Sequence, residues 1–303
     1  MNNNYNGIIN IYKEQGFTSF DVVAKLRGIL KMRKIGHTGT LDPDATGVLP
    51  VVLGNATKLV DMLTDKQKEY VAEFKFGLTS DTQDIWGKIL SESPVTCDES
   101  EVEKVIKSFI GDIEQIPPMY SAIKVDGKKL YELAREGKEI ERKPRPVKII
   151  DIEILKIELP YVSMRVVCSK GTYIRTLCHD IGQKLACGAV MTKLTRTVSG
   201  QFTIDGALKL SEVEQYMSEG RIEEFIIPVD SVFDKYVRAD LRGELLAAAK
   251  NGNKLRERDV VKCLVGDGER TKVRMYDSDG IFFALYNLDR EKHLYGVDKM
   301  FLS

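Results

Sequence analysis

The sequence predicts an α+β protein in which a large domain is followed by a small one. Three observations favour this class. The chain has 303 residues, which suits more than one minimal domain. Helical and strand periodicities both occur before residue 234. Beyond that residue the pattern changes to short strands with Asp-Gly turns between them. These patterns agree with the α+β class but do not determine the order of the strands.

The first predicted elements are a strand and a capped helix. Residues 7–12 form an apolar run that is typical of a short buried strand. Thr18 and Asp21 then match an N-cap pair, and the apolar residues after them recur at helical spacing. Residues 68–76 alternate in character, which predicts a half-buried strand with Tyr70 on its inner face.

The middle of the chain continues this mixture of elements. Ser100 and Glu103 match a capping box in front of a second helix. Residues 147–168 contain two β-rich runs separated by Pro160. Residues 173–186 carry apolar side chains on one helical face. We therefore expect a pair of strands followed by a helix.

The C-terminal part is predicted to be small and rich in strands. Residues 241–250 have a helical pattern, and strands are expected at 271–276 and 281–287. We place the boundary so that residues 1–234 form one domain and residues 235–303 form another.

The composition argues against several classes of protein. Hydrophobic residues make up 43% of the chain and charged residues 30%, as in ordinary globular proteins. No apolar run approaches the roughly 18 residues that a membrane span needs. Because the N-terminus is also polar, we expect a cytoplasmic protein. The five cysteines form no CxxC pair and the three histidines are far apart. We therefore expect neither a disulfide framework nor a metal site.

Charge is balanced over the whole chain but uneven along it. The formal net charge is zero. Residues 91–114 carry seven acidic and two basic residues, whereas residues 121–148 carry nine basic and five acidic residues. A basic run of this kind can form a face that meets phosphates. The same composition also suits a lysine-rich surface that is merely exposed to solvent.

Residues 35–50 are the most informative segment. Three glycines and two prolines predict a loop of defined shape. Asp42 lies between Leu41 and Pro43, and a proline restricts the residue before it as well as itself. A carboxylate held in place is what nucleophilic catalysis requires. From local chemistry alone, Asp42 could instead cap a helix or close an Asx-turn, and Asp44 is an equally plausible carboxylate.

Several motifs, in this order, resemble those of the TruB family of tRNA pseudouridine synthases. They are GHTGTLDPDATGVLPVVLG at 36–54, KEY at 68–70, SDTQDIWG at 80–87, PPMYSAIK at 117–124, CSKGTYIRTL at 168–177 and LTRT at 194–197. The resemblance is strong over about 5–205 and weaker over 235–303. Ile85 and Trp86 depart from the smaller residues common in that turn of the family.

The resemblance implies an active site built from these motifs. Asp42 would be the nucleophile, and Arg175 would pair with it. Tyr70 would stack on the flipped base and accept a proton, while His37 would fill the space that the base leaves. The other implied residues line the base pocket or support it: Tyr173, Leu194, Lys13, Asp84 and Lys124. Without the motifs, strand packing, a backbone-bonded loop histidine and a surface ion pair would explain the same residues.

The resemblance also implies a substrate and a reaction. The enzyme would flip uridine 55 out of the T-loop of tRNA and convert it into pseudouridine, with no cofactor or metal. The implied pseudouridine-synthase fold has a mixed, mainly antiparallel sheet flanked by helices, and residues 235–303 would form a PUA-like RNA-binding domain. Residues 127–148 would act as a thumb that clamps the RNA hairpin. Its implied RNA-binding residues are Lys128, Lys129, Arg142, Lys143 and Arg145.

Three expectations about partners follow. The ATGVLP sequence at 45–50 is like that of stand-alone bacterial enzymes, so we expect no guide RNA. We expect a monomer whose partner is the T-stem-loop of tRNA. Two other functions fit part of the sequence: an RNA-binding folding factor that modifies nothing, and a synthase that depends on a guide RNA. A pure binder has no use for a nucleophile, so Asp42, Tyr70 and Arg175 together favour an enzyme.

Overall fold

Two sheets organise the chain. The computed structural model describes residues 3–64, 66–125 and 127–302. A large mixed sheet occupies the N-terminal part, and a six-stranded sheet follows from residue 236 onwards. This architecture confirms the expected α+β class with a mainly antiparallel central sheet.

The strands have the following bounds. Those of the N-terminal part are β1 (Gly7–Lys13), β2 (Ile35–His37), β3 (Thr46–Leu53), β4 (Lys68–Phe76), β5 (Leu78–Ser80), β6 (Ile89–Glu92), β7 (Gly111–Gln115), β8 (Lys124–Val125), β9 (Lys128–Lys129), β10 (Arg145–Glu158), β11 (Tyr161–Cys168), β12 (Ala189–Ser199) and β13 (Phe202–Thr203). Those of the C-terminal part are β14 (Tyr236–Asp240), β15 (Leu255–Arg256), β16 (Leu264–Val265), β17 (Glu269–Tyr276), β18 (Phe282–Asp289) and β19 (Leu294–Met300).

The helices lie between these strands. They are α1 (Ser19–Leu30), α2 (Val60–Thr64), α3 (Glu99–Lys107), α4 (Leu130–Arg135), α5 (Ile174–Lys184), α6 (Leu210–Ser218), α7 (Gly243–Lys250) and α8 (Glu257–Val260). Within the described part of the chain, no helix combines the length and apolar character needed to cross a membrane.

The large sheet has the order β1-β3-β12-β4-β11-β10-β7. Neighbouring strands are antiparallel except β3 and β12, which are parallel. Strand β12 therefore lies between two strands that come more than a hundred residues earlier in the sequence. This insertion places residues 194–197 beside both the start of β3 and the middle of β4.

The start of α1 confirms the predicted N-cap. The Thr18 hydroxyl accepts a hydrogen bond from the Asp21 amide at 3.0 Å, and the Asp21 carboxylate accepts one from the Thr18 amide at 2.8 Å. Each bond satisfies an amide that the helix itself leaves without a partner. The buried side chains of α1 pack on β1 and β3.

The start of α3 corrects the predicted capping box. Ser100 and Glu103 do not form it; Asp98 and Glu101 do, with bonds of 2.9 and 3.1 Å. Asp98 has an extended backbone directly before the first helical residue, which is the geometry of an N-cap. Starting the helix there turns Val102 into the core, where it is fully buried.

Other predicted elements agree with the structure. Strand β4 alternates between buried and half-buried residues, with Tyr70 on the buried face. Strands β10 and β11 are an antiparallel pair on either side of Pro160, and α5 lies within 173–186. The prediction of a loop over 35–50 was wrong at both ends, because β2 and β3 occupy 35–37 and 46–50. Burial of the apolar residues at the start of β3 stabilises strand over loop there.

The C-terminal sheet has the order β15-β19-β18-β17-β14-β16. Helix α7 and strands β17 and β18 confirm the elements predicted at 241–250, 271–276 and 281–287. This sheet has its own core, to which Val273, Phe283 and Tyr286 contribute.

The two sheets also share an apolar cluster. It joins Ile8, Val48 and Val52 of the large sheet to Phe233, Leu285 and Phe301 of the C-terminal part. Tilted aromatic rings pack at 5.2–6.1 Å in this cluster. Hydrogen bonds border it, from Asn55 to the Phe301 carbonyl at 3.3 Å and from Lys58 to the Met300 carbonyl at 2.9 Å. The sheets are thus packed against each other.

Replacing Phe233 by alanine should destabilise the protein. The ring is 3% exposed, so its loss leaves a cavity between the two sheets. Truncations of this kind lower the free energy of unfolding by about 3–5 kcal/mol. Urea denaturation would measure the change. Phe20→Ala is the matched control: this ring is 68% exposed, and its removal should change stability by no more than about 0.5 kcal/mol. Equal losses in the two variants would contradict the packing role.

Candidate active site

The loop between β2 and β3, residues 38–45, is held to the body of the protein by hydrogen bonds at several points. The Ser19 hydroxyl, buried at the start of α1, accepts from the Leu41 amide at 2.9 Å and lies 3.3 Å from the Leu41 carbonyl. The Gly16 amide donates to the Pro43 carbonyl at 3.0 Å. The Ala45 amide donates to the Asp42 carbonyl at 3.1 Å, which closes a turn around Asp42.

Lys13 holds the same loop from below. Its side chain is fully buried, and its ammonium donates to the carbonyls of Glu14, Phe17 and Pro43 at 3.1, 2.6 and 2.9 Å. Burial lowers the pKa of Lys13 to about 8, and the carboxylates nearby oppose that shift. The structure therefore brings this predicted residue to the site, where it contacts the backbone next to Asp42.

Asp42 and Arg175 form a two-point ion pair. The Arg175 Nε lies 2.9 Å from one carboxylate oxygen of Asp42, and its Nη2 donates to the other oxygen at 3.2 Å. The guanidinium is 5% exposed, whereas the Asp42 side chain is 41% exposed. A guanidinium stays charged at any physiological pH and matches a carboxylate in this planar geometry. The pair therefore fixes the carboxylate and leaves part of it open to an incoming molecule.

The remaining donors of Arg175 bind two other segments. Its Nη1 donates to the Thr82 carbonyl and its Nη2 to the Tyr120 carbonyl, both at 3.0 Å. Asp84 lies 3.6 Å from Nη1 and accepts from the Thr82 hydroxyl at 2.6 Å. Burial raises the pKa of the Asp84 carboxyl. Arg175 thus joins three separate motifs at one point.

Tyr70 projects from β4 into the core beside this loop. It is largely buried in a cluster that includes Leu41, Ala45 and Leu194. Burial raises the pKa of the Tyr70 phenol, and the guanidinium of Arg196 acts in the opposite direction. The structure therefore places two predicted site residues, Tyr70 and Leu194, in contact with the loop that carries Asp42.

Arg196 is a residue of the site to which the sequence analysis gave no role. It pairs with Tyr70 across β12 and β4 and is almost fully buried. Its Nε donates to the Val48 carbonyl at 2.7 Å, and its Nη2 to the Gly39 carbonyl at 3.4 Å. A signal was present in the sequence. Alternate residues of a strand share a face, so Arg196 had to lie on the same side of β12 as Leu194.

Two further predicted residues flank the loop. The His37 ring, at the end of β2, packs edge-on against Phe20 with ring centroids 5.9 Å apart. Burial lowers the pKa of His37. Tyr173 precedes α5, and both its amide and its carbonyl bond to the Gln115 side chain, at 3.0 and 3.1 Å. Burial raises the pKa of the Tyr173 phenol.

The predicted basic residues lie apart from these contacts. Lys124 is exposed on β8. Lys128 and Arg142 form ion pairs with neighbouring glutamates at 3.6 and 3.0 Å, and Lys129 lies over the Tyr131 ring. The other two, Lys143 and Arg145, are exposed. Part of this positive charge is therefore compensated within the segment itself.

Family models cover most of the large sheet. One, described as the TruB family pseudouridylate synthase N-terminal domain, matches residues 27–174. A second, described as the tRNA pseudouridylate synthase B C-terminal domain, matches residues 175–234. Together they span every motif listed above from the loop of Asp42 to LTRT.

Similar proteins carry related names. A tRNA pseudouridine synthase B from Lachnoclostridium phytofermentans is 51% identical over 306 residues, covering 98% of this chain and all of that protein. One from Clostridium tetani is 47% identical, covering 88% of this chain and 96% of that protein. Among solved structures, a chain of a Cbf5–Nop10–Gar1 complex matches with a TM-score of 0.72 and 30% identity, over 98% of this chain and 85% of that one. A chain of an H/ACA RNP bound to a substrate RNA containing 2′-deoxyuridine has a TM-score of 0.71 and 27% identity, with the same coverage.

Gly47→Ala should disrupt the site from its base. Gly47 has a φ of +104°, and an added Cβ would lie 2.2 Å from the Arg196 carbonyl oxygen. Strain and clash together should lower the free energy of unfolding by roughly 3 kcal/mol or more, measured by urea denaturation. Gly220→Ala, at a φ of +70° with open space around it, should lose only about 1–2 kcal/mol. If Gly47→Ala is no worse than this control, the close approach to β12 is not a constraint.

Proposed function

The chain belongs to the TruB family of pseudouridylate synthases and is a tRNA pseudouridine synthase, and we propose that its target is uridine 55 in the T-loop. One observation carries the proposed mechanism. A single carboxylate, Asp42, is held at two points by a buried guanidinium and is still open on one side. That is the state in which a carboxylate acts as a nucleophile.

The proposed reaction exchanges one bond for another. Asp42 assists cleavage of the bond between C1′ and N1 by attacking the nucleotide. The detached base rotates, and C5 forms a bond to C1′. The proton on C5 then leaves, and N1 gains one, so the product is an isomer of the substrate. The positive charge of Arg175 keeps Asp42 ionised before the attack and oriented towards its target.

The target uridine has to leave the folded T-loop before Asp42 can reach it. Enzymes that act on a base inside a folded nucleic acid flip it into a pocket, at a cost of a few kcal/mol. We propose that the pocket is lined by Tyr70, Tyr173 and Leu194, which lie around the loop of Asp42. His37, which packs at the outer edge of that loop, would occupy the space that the base leaves.

Tyr70 is proposed to remove the C5 proton. Its ring offers a flat, buried surface for the base, and its hydroxyl is the group with acid–base chemistry there. Burial makes the phenolate a stronger base once it forms, while Arg196 limits the cost of forming it. Lys13 and Asp84 would support the site indirectly, since each contacts groups that hold Asp42 or Arg175.

The rest of the molecule would hold the RNA. We propose that residues 1–234 form the catalytic domain and residues 235–303 a PUA-like RNA-binding domain. Two separate sheets support this division. Residues 127–148 would act as the thumb through Lys128, Lys129, Arg142, Lys143 and Arg145, with Lys124 at its base; the hairpin, short helix and exposed basic side chains of this segment support that role. We place the enzyme in the cytoplasm.

We propose that the protein works without a guide RNA, as a monomer. The ATGVLP sequence of the catalytic loop and the full-length match to tRNA pseudouridine synthase B proteins support this. The decisive experiment is to incubate the protein alone with unmodified tRNA and map pseudouridine. Modification at position 55 alone is the expected result. Binding without modification would favour a folding factor, and activity only after addition of a guide RNA would favour the guided enzyme.

Asp42→Asn should abolish pseudouridine formation while leaving tRNA binding intact. Asparagine keeps the shape of the side chain but removes the anionic nucleophile, so the single-turnover rate should fall by at least about 10³-fold. Asp44→Asn is the matched control, two residues away on the same loop, and should remain active. Detectable multiple turnover by Asp42→Asn, or loss of activity only in Asp44→Asn, would overturn the assignment of the nucleophile.

Tyr70→Phe should separate stacking from proton transfer. The variant keeps the ring, so RNA affinity should survive, but without the hydroxyl the chemical step should slow by roughly 10²–10⁴-fold. Proton removal would then limit the rate, and deuterium at C5 should slow the variant more than the wild type. Single-turnover kinetics with protiated and deuterated tRNA would test this. A variant as fast as the wild type, with no larger isotope effect, would show that Tyr70 only packs.

A further inference from the structure

Trp86 is a large apolar side chain left in solvent next to the active site. It is the one tryptophan of the sequence and is 45% exposed. It lies in the turn of residues 81–87, which joins β5 to β6. Neither the packing of the core nor the proposed chemistry uses its indole ring. An indole in this position is therefore available to a binding partner.

The turn that carries Trp86 is rigid. The Asp81 amide donates to the Lys88 carbonyl at 3.2 Å, and the Lys88 amide donates to the Asp81 carboxylate at 2.8 Å. The Ile85 amide donates to the Met191 carbonyl at 2.9 Å, which ties the turn to β12. At Gly87 an added Cβ would lie 2.1 Å from the Thr82 hydroxyl, so the turn is also tightly closed. The backbone of Trp86 is thus fixed before any ligand arrives.

A short chain of contacts links Trp86 to the reactive carboxylate. The Trp86 amide donates to one carboxylate oxygen of Asp84 at 3.2 Å. The other oxygen lies 3.6 Å from Arg175, which holds Asp42 at two points. An RNA whose target nucleotide reaches Asp42 must therefore pass close to this turn. The exposed ammonium of Lys88 is placed two residues further on, where it can meet a phosphate.

We propose that Trp86 is a stacking platform for an unpaired base of the substrate RNA, adjacent to the flipped uridine. The inference rests on the proposed function, since it assumes that an RNA loop occupies the site. Proteins recognise single-stranded RNA loops by stacking splayed bases on aromatic rings. Stacking accepts any base, because every base has a π-face. The turn therefore adds affinity for an opened loop without selecting its sequence.

The lone tryptophan makes a direct test possible on the unaltered protein. Indole fluorescence, excited beyond the absorption of tyrosine, reports on Trp86 alone. We expect it to be quenched when an unmodified T-stem-loop RNA binds, with a midpoint that matches binding measured by anisotropy of a labelled RNA. Unchanged emission at RNA concentrations where anisotropy shows saturation would overturn the proposal.

Variants separate stacking from other effects. Trp86→Ala should weaken RNA binding by roughly 5- to 150-fold, and Trp86→Phe should recover most of that loss. Leu90→Ala is the matched control, since Leu90 is also exposed on the same hairpin. An equal loss in Leu90→Ala, or none in Trp86→Ala, would contradict stacking.

The same variants distinguish this proposal from the proposed function. At saturating enzyme, Trp86→Ala should still form pseudouridine at close to the wild-type single-turnover rate. If the wild-type protein binds the RNA with quenching but forms no pseudouridine, the proposed function fails and stacking stands. If the wild type forms pseudouridine and the fluorescence does not change, stacking fails and the function stands.

Discussion

The buried guanidinium of Arg175 is the constraint on which the active site depends. A charge taken out of water is costly unless all its donors are satisfied. Arg175 meets this condition with groups from three different segments: the Asp42 carboxylate, the Thr82 carbonyl and the Tyr120 carbonyl. Each segment is irregular and has little core of its own near the site. The requirement to satisfy one cation therefore determines where three loops meet.

Two more buried cations act on the backbone of the same loop. Lys13 binds the Pro43 carbonyl from one side, and Arg196 binds the Gly39 and Val48 carbonyls from the other. Carbonyl dipoles aimed at fixed charges give the loop one preferred conformation. The three cations also create a positive potential around a single carboxylate. A chain with no net charge can in this way attract a polyanion to its active site.

Local patterns predicted the elements well, because the periodicity and the caps of an element are written in adjacent residues. The N-cap of α1 and the alternation of β4 are examples. The capping box of α3 was misplaced by two residues because Asp98 and Ser100 are both good caps, and burial of the helix face decides between them. Strand order has no local signature. The insertion of β12 between β3 and β4 pairs residues more than a hundred positions apart.

The same limit applies to the active site. The pattern of residues 35–50 left Asp42 and Asp44 equivalent, and only the position of Arg175, on a distant helix, distinguishes them geometrically. Asp44 instead acts on Lys13, whose pKa it raises. Arg196 was missed because its role depends on a strand pairing, although its inward direction followed from alternation with Leu194. Motif resemblance identified residues whose proximity the local sequence could not show.

The apolar cluster shared by the two sheets has a consequence for synthesis of the chain. It joins Ile8 to Phe301, residues separated by nearly the whole sequence. During translation the face formed by β1 and β3 is made long before the segment that covers it. Exposed apolar surface of this kind makes a nascent chain prone to aggregation. The last step of folding is therefore closure of the C-terminal sheet over the large one, and until then the polypeptide presents a surface that chaperones bind.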